Sequence, residues 1–464
     1  MWSHPLILLL LLLTSLLTQI PSTSSSNRVD KRPKTVIQPT TNIHPSELET
    51  LFKIMETMSS DADWRVSYPN PCTPPSTWPG IECKLGNDNH LHVTRLDFGT
   101  YPNPSCKKTA TFPTDIFNLP NLLSVFFYQC FTYSSTTLTI PLISSSPLQQ
   151  LSLRSNPALT GKIPTQISAL KNLQVLTMSQ NKLTGNLPPE IFTLNSLIHL
   201  DLSYNSLSGS TPFQLGNLGN LQGLDLSYNS LSGIIPTTIG QLGLLQKLDL
   251  SSNLLTGKIP NSIQNLKSLN FLALSENHIR GNFPDGLTKL VNLEYFIMDD
   301  NPMLMPLPAQ FGMLVKLQEL RLANSGYSGE IPQTFCRLSN LTTLSLQNNR
   351  LTGEIPKGFT SLNHIYHLNL SRNFLDGVVP FNASFMKRLG KNLDLSENPG
   401  LCLDSKEVNL LKNESNFVVC GNHKSYSFTQ PNIKSQATTT SSLLQNYFLI
   451  ILFFLDFIVF FYVF

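Results

Sequence analysis

Seven cysteines, nine histidines and a recurrent Leu-Asp-Leu-Ser string are the residues in this 464-residue chain whose type and spacing could do chemistry. None of them assembles a reaction centre. The sequence holds no Gly-x-Ser-x-Gly turn, no His-Glu-x-x-His pair, no phosphate-cradling glycine loop and no kinase signature. His364 and His367 have no third ligand at a recognisable spacing, so a zinc site is not expected. Asp201, Asp225 and Asp249 could stack into a cation site, but each sits in the same Leu-Asp-Leu-Ser filler and reads as part of a solvated acidic ladder. Cys336 is the odd cysteine and is expected to be a buried, unpaired thiol. A formal net charge of +3 gives no reason to expect nucleic acid as a partner, and no cofactor is implied.

The elements that carry these residues are set by a repeat. Between Leu148 and Leu401 the pattern L-x-x-L-x-L-x-x-N-x-L-x-G-x-I-P recurs eleven times, at a period of 24 residues with two exceptions of 25. Its asparagine falls at Asn156, Asn181, Asn205, Asn229, Asn253, Asn277, Asn301, Asn349, Asn373 and Asn398, with Ser325 standing in once. This is the signature of a leucine-rich repeat. Each L-x-x-L-x-L is too short to bury its leucines alone, so short strands must stack in parallel, about 4.8 Å apart, into a curved or superhelical solenoid. The Asn amide can bond backbone groups of adjacent turns, and Ser325 can replace only part of that. The glycine of the pattern permits a tight bend, and Met305 breaks that column once.

Such a scaffold presents five side chains per repeat on the concave face of the strands without disturbing the core. From Ser203 to Ser252 the face keeps the bland Asp-Leu-Ser pattern. Phe271, Ala273, Glu276, Tyr295, Ile297, Asp299, Asp300, Glu319, Arg321 and Gln347 depart from it. Exposed aromatics beside an isolated Arg and carboxylates have the composition of a contact surface, so these residues are the expected partner site; drift at unconstrained positions is the competing explanation.

A solenoid needs caps over its end layers, and small secreted caps often need staples. Cys72 and Cys83 bracket Trp78-Pro79-Gly80, Cys402 and Cys420 follow the last repeat, and Cys106 and Cys130 lie between the N-terminal cap and the regular array; all six are assigned to disulfides. Cys130 holds the Asn position of a degenerate repeat that starts at Leu122. Ser46 and Glu49 form a capping box that opens a helix with Leu48, Leu51, Phe52, Met55 and Met58 at helical spacing, which covers the core or, alternatively, docks a partner. Glycosylation sequons stand at Asn340, Asn369, Asn382 and Asn413, and Asn369 lies within a strand.

The leucine stretch Leu6 to Leu13 marks residues 1–24 as a signal peptide, and the Ser-rich basic stretch 25–44 reads as a disordered leader. Residues 45–147 form the N-terminal cap and degenerate repeats, 148–401 the regular array, 402–424 the C-terminal cap and 425–446 a linker. Residues 447–464 are a nearly pure apolar tail with no basic residue after it, so no cytoplasmic domain is expected. Small residues from Ser435 and a polar spacer precede the tail, the order of a glycosylphosphatidylinositol signal with Ser435 as the attachment residue. Asp456 would cost about 2.5–3.5 kcal/mol at a bilayer centre, which disfavours a permanent span. A single short span and a soluble product are the alternatives.

The G-x-I-P repeat, together with Asn70-Pro71-Cys72 and Trp78-Pro79-Gly80-Ile81-Glu82-Cys83, resembles the extracellular leucine-rich repeats of plants. The stretch Ser124-Val125-Phe126-Phe127-Tyr128-Gln129-Cys130 is similar to the small receptor-like proteins related to Too Many Mouths, which have no kinase. The resemblance implies a non-catalytic protein of the plasma membrane's outer face that binds an extracellular peptide, glycan or protein ligand, or a receptor-kinase ectodomain, in defence or development. A secreted inhibitor of a cell-wall-degrading enzyme, of the polygalacturonase-inhibitor kind, is the alternative.

Overall fold

The computed structural model describes residues 42–74, 77–142, 146–407 and 418–421; the expected signal peptide, most of the leader, Asn413, Ser435 and the apolar tail lie outside the described residues. No helix among the described residues is long and apolar enough to cross a membrane. The chain is a leucine-rich-repeat solenoid built as two compact units, Met1–Leu231 and Ser232–Phe464.

In the first unit the hairpin Ile81–Leu85 and Leu91–Phe98 is antiparallel, and parallel strands then follow at Ser124–Tyr128, Gln150–Arg154, Val175–Thr177, His199–Asp201 and Gly223–Asp225. In the second, Lys247–Asp249, Phe271–Ala273, Tyr295–Ile297, Glu319–Arg321, Thr343–Ser345, His367–Asn369 and Leu393–Asp394 pair in parallel without a register shift. The middle residue of each three-residue strand is Leu or Phe and fully buried, from Leu248 to Leu368, while its neighbours face outward. After each strand the backbone turns through a non-glycine residue in the left-handed region, among them Tyr204 (φ 53), Glu276 (φ 54) and Asp300 (φ 57). Such a conformation is unfavourable for these residue types.

The next residue, the repeated Asn, offsets that cost. Asn277 donates from Nδ2 to the carbonyls of Leu250 (3.0 Å), Leu274 (3.1 Å) and Ser275 (3.1 Å), while its Oδ1 accepts from the Leu255 amide at 3.0 Å. Asn205 repeats this in the first unit with Met178, Leu202, Ser203 and Leu183. Ser325 does replace part of the set: its hydroxyl reaches the Ala323 carbonyl at 2.8 Å and accepts from Asn301 N at 3.3 Å. A second ladder runs along the Gly column, where Gly329, Gly353 and Gly377 hold φ of 72 to 80°. Where Met305 breaks that column, Leu304 is forced to φ 50, and one bridge, Pro306 to Ser328, replaces a paired strand. Proline caps the 3-10 turn of the regular repeats, as Pro284 does for Asp285–Lys289, because its fixed φ suits the extended cap position.

All three disulfides form, Cys72–Cys83, Cys106–Cys130 and Cys402–Cys420. At the C-terminal end the Asn382 side chain caps helix Ala383–Leu389 through the Phe385 amide, and Phe381 stacks on Phe385 at 4.5 Å. At the N-terminal end Trp78 packs edge-on against Trp64 and Phe52. Cys336 is free but only half-buried, in the 3-10 turn Gln333–Arg337, not fully buried as expected.

The cap helix, Pro45–Met58, differs from expectation at its start. Pro45 begins the helix with His44 as cap, so Ser46 lies inside the first turn and bonds His44 Nδ1, and Glu49 pairs with Arg65 at 2.8 Å. The expected capping box is therefore absent. Ile43 and His44, at the end of the expected leader, pair with Leu91. The inward face carries Leu51, Phe52, Ile54, Met55, Met58 and, unexpectedly, Glu47, while Leu48 is half-buried. The Glu47 carboxylate, 1% exposed, accepts from His92 Nδ1 at 2.6 Å and from the Val93 amide at 3.0 Å, while His92 Nε2 faces Asp88 at 3.0 Å. Only an imidazolium can donate at both nitrogens. Bonds to Glu47 and then Asp88 outweigh burial and raise the His92 pKa, whereas the His92 bond, followed by the His90 amide, lowers Asp88 to about 2. His44 and His90 line the same corner.

This clamp predicts alkaline lability. Because the folded His92 value lies above the ordinary 6.5, its stabilisation is fully present below pH of about 6.5 and is lost as pH rises through the folded value. Thermal unfolding from about pH 5 to about pH 9 should show Tm falling on the alkaline side, with a flatter slope in His92→Gln. A wild-type Tm that rises or stays level above about pH 6.5 contradicts the clamp.

Candidate functional site

Strand register brings the expected contact residues together on one face of the second unit. Phe271 lies beside Tyr295, Tyr295 beside Glu319 and Ile297 beside Arg321. One row across the strands therefore reads Lys247, Phe271, Tyr295, Glu319, Thr343, His367, and the next Asp249, Ala273, Ile297, Arg321, Ser345, Asn369. Glu276 and Asp300 project from the left-handed turn residues, and Gln347, half-buried, accepts from the Ser345 hydroxyl at 2.6 Å.

Depth sorts these residues. Ala273 (3%), Ile297 (7%) and Asp299 (4%) form the floor and offer a partner little surface, which corrects the expectation that Ile297 and Asp299 are exposed contacts. Phe271 and Tyr295 are half-buried, their rings 5.9 Å apart, and the Tyr295 hydroxyl donates to Gln318 Oε1 at 3.2 Å. Gln318 in turn donates to Glu294 Oε2 at 2.8 Å. Together they make a fixed aromatic shelf. Lys247 Nζ lies over the Phe271 ring, 5.7 Å from its centre.

Arg321 is not isolated as expected. It donates to Asp299 at 2.7 Å and lies 3.9 Å from Glu319, and Asp299 also accepts from the Ala323 amide at 2.6 Å. Burial would lower the Arg321 pKa, but the charges of Asp299 and Glu319 outweigh it and raise it. Burial pushes Asp299, Asp300 and Glu319 above the usual carboxylate range; for Asp300 and Glu319 the neighbouring Asp299 charge adds to it. Burial, then Glu294 and Glu319, raises Tyr295 as well. These groups share a face that is crowded with negative charge.

The Asp-Leu-Ser strings of the first unit have a structural role. Asp201 and Asp225 each accept from the amide and hydroxyl of the Ser two residues on, and burial, followed by the Asp225 charge, raises the Asp201 pKa. They are turn-fixing groups more than solvated ones. Asn369 plays the same part, accepting from Ser371 N and Oγ. His364 turns away to the Ser339 carbonyl while His367 is half-buried on the face, its pKa lowered by burial and then by Arg321. No group of three His, Cys, Asp or Glu among the described residues could hold a metal. The sequence reading missed Glu294, Gln318 and Tyr366, which is 68% exposed. They occupy the first outward position of the repeat, ahead of the Asp-Leu-Ser string, where that pattern fixes no residue type.

A leucine-rich-repeat family model matches residues 210–255 and 315–375, and a second matches residues 172–194 and 196–218. The chain is similar to Receptor like protein 29 of Arabidopsis thaliana, 66% identical over 140 residues that make up 30% of each protein. It is also similar to Protein TOO MANY MOUTHS of the same plant, 35% identical over 137 residues, 28% of this chain and 27% of that protein. The matches span less than a third of these relatives. Among solved structures it resembles the plant peptide hormone receptor RGFR1 in complex with RGF2, with a TM-score of 0.56 and 30% identity over 67% of this chain and 47% of that one. PEPR1–AtPEP1 gives a TM-score of 0.54 at 25% identity, over 77% and 51%. These likenesses fit a plant leucine-rich-repeat receptor-like protein.

The buried pair separates support from contact. Arg321→Ala leaves Asp299 without its cation and should destabilise the fold by about 1–3 kcal/mol, a buried-pair cost reduced for partial exposure. Tyr295→Ala removes only half-buried surface and should cost about 1–2 kcal/mol at most. Denaturant unfolding of the two variants reads this directly; an Arg321→Ala variant as stable as wild type would show that the pair supports nothing.

Proposed function

We propose that this leucine-rich-repeat chain is a receptor-like protein that displays the Phe271 to Gln347 face to an extracellular ligand, or to a receptor-kinase ectodomain, and carries out no catalysis itself. The observation that carries the reading is the departure of this face from the bland pattern at a fixed aromatic shelf beside a charged floor. Two solved structures that it resembles are a peptide hormone receptor in complex with RGF2 and PEPR1–AtPEP1. The chain enters the secretory pathway through residues 1–24, carries glycans at its sequons and is held at the outer face of the plasma membrane by a lipid anchor at Ser435.

Asn369 then bounds the site. It lies in the Arg321 row two strands on, about 10 Å away, so a glycan there flanks the patch and turns a partner toward the N-terminal side. Asn340 is exposed off the face and bonds the Val315 carbonyl, and Asn382 keeps its amide nitrogen while its oxygen caps a helix.

Two measurements test this reading. Phosphatidylinositol-specific phospholipase C should release the protein from intact cells; retention while a control anchored protein is released speaks against the lipid anchor. Capture of a panel of plant receptor-kinase ectodomains by the secreted chain should yield a binder that Tyr295→Ala weakens about thirtyfold, an anchor-residue loss of about 2 kcal/mol, while Asp225→Ala leaves it unchanged. Equal loss in both variants would remove the basis for this site.

A further inference from the structure

We infer that the face around Phe271 and Tyr295 takes a cationic, extended peptide segment, with lysine or arginine side chains seated on the aromatic shelf between carboxylates, and that it rejects anionic wall glycans. This rests on the reading that the face is the docking surface, and names the ligand class.

Three successive strands and their turns place Glu276, Glu294, Asp299, Asp300 and Glu319 on this face. The one cation that those strands supply is Arg321, already engaged with Asp299 and Glu319. The other carboxylates have neutral donors. Glu276 accepts from the Ser252 hydroxyl at 2.9 Å, Glu294 from the Gln318 amide, and Asp300 bonds Asn324. Hydroxyl and amide donors satisfy lone pairs but leave net charge, so the free face keeps a negative surplus that an incoming cation would relieve.

The shelf supplies the second, independent feature. Phe271 and Tyr295 present ring surface among those carboxylates, and Lys247 Nζ already rests over the Phe271 ring, so ammonium on this ring is a geometry the chain itself adopts. A ligand lysine or arginine is apolar along its stem and charged at its tip, and it would lay the stem on the Tyr295 ring with the tip toward Glu319 or Asp300. A polygalacturonate has the opposite charge and would meet repulsion, which also separates this reading from the inhibitor alternative.

The test titrates the full secreted chain by calorimetry with three probes: an extended peptide of alternating Lys and Ser, its Glu and Ser counterpart, and an oligogalacturonide. The Lys peptide should bind, the other two should not, and its affinity should fall as salt rises from about 50 to about 300 mM. The isosteric pair Asp300→Asn with Glu319→Gln should weaken it about fivefold, whereas Glu330→Gln with Glu354→Gln, the same charge change off the face, should leave it within about twofold. Tyr295→Leu should weaken it too, since the ring is lost. Absence of Lys-peptide binding, equal loss in both charge pairs, or tighter binding of oligogalacturonide overturns the inference. A receptor-kinase ectodomain that still depends on Tyr295 in that case would leave the docking surface standing and remove only its cationic preference.

Discussion

One polar side chain per turn, an Asn amide in every regular repeat but the one that carries Ser325, holds each coil in register with the next. A backbone that leaves a strand through the left-handed region, on residues as ill-suited to it as Tyr204 or Glu276, needs a compensating bond, and the Asn that follows, as at Asn277, donates to two carbonyls of its own turn and one of the preceding coil and accepts from an amide of that coil. At most positions the Asn can be buried, as Asn277 is at 3% exposure, because its polar atoms are satisfied, and the leucines beside it are buried because the turn brings each strand back in register. Everything on the outward face follows from that register. Glu276 and Asp300 stand where they do because they sit on the turn the asparagine stabilises, and Tyr295 meets Phe271 because no strand in the second unit slips.

The scaffold and the face answer to different physics. Inside each coil the gain is apolar burial, about 1.5–3 kcal/mol for each fully buried leucine, and nearly any outward residue is compatible with it. On the face the terms are electrostatic and local. Asp299 is tolerated at 4% exposure because Arg321 and the Ala323 amide both reach it, so Arg321 serves the fold as well as any partner. Asp201 and Asp225 look like the same chemistry but are spent on their own serines. The His92 clamp in the N-terminal cap applies the same rule, a buried carboxylate kept by a cation that two acceptors hold in its charged form.

The sequence made the repeat, the strand register, the Gly and Asn columns and the six paired cysteines legible, because each is a periodic or covalent constraint that one residue type satisfies. It was less informative wherever a third dimension decides. Ile297 and Asp299 occupy outward positions in the pattern, yet their neighbours' side chains close over them. The capping box read at Ser46 does not form because Pro45 starts the helix and moves the cap two residues back to His44, and His92, 45 residues after Glu47, pulls the Glu47 carboxylate inward. Tyr366, 68% exposed, lies just ahead of its strand, where the repeat pattern sets no residue type. Depth on a packed face depends on neighbours 24 residues away, and a pattern read along one coil does not contain it.

The claim that face and scaffold are separable has a direct measurement. A single variant carrying Phe271→Lys, Glu276→Ser, Tyr295→Lys, Asp300→Ser and Glu319→Lys, with Arg321, Asp299 and every column Asn kept, replaces the contact chemistry and leaves the ladder intact. Paired readings of its thermal unfolding and of its titration with the Lys and Ser peptide decide the matter. The account predicts a Tm within about 8 °C of wild type, a shift that corresponds to roughly 2–4 kcal/mol from the two half-buried rings, together with complete loss of peptide binding. A collapsed Tm, or a variant that still binds, would contradict it.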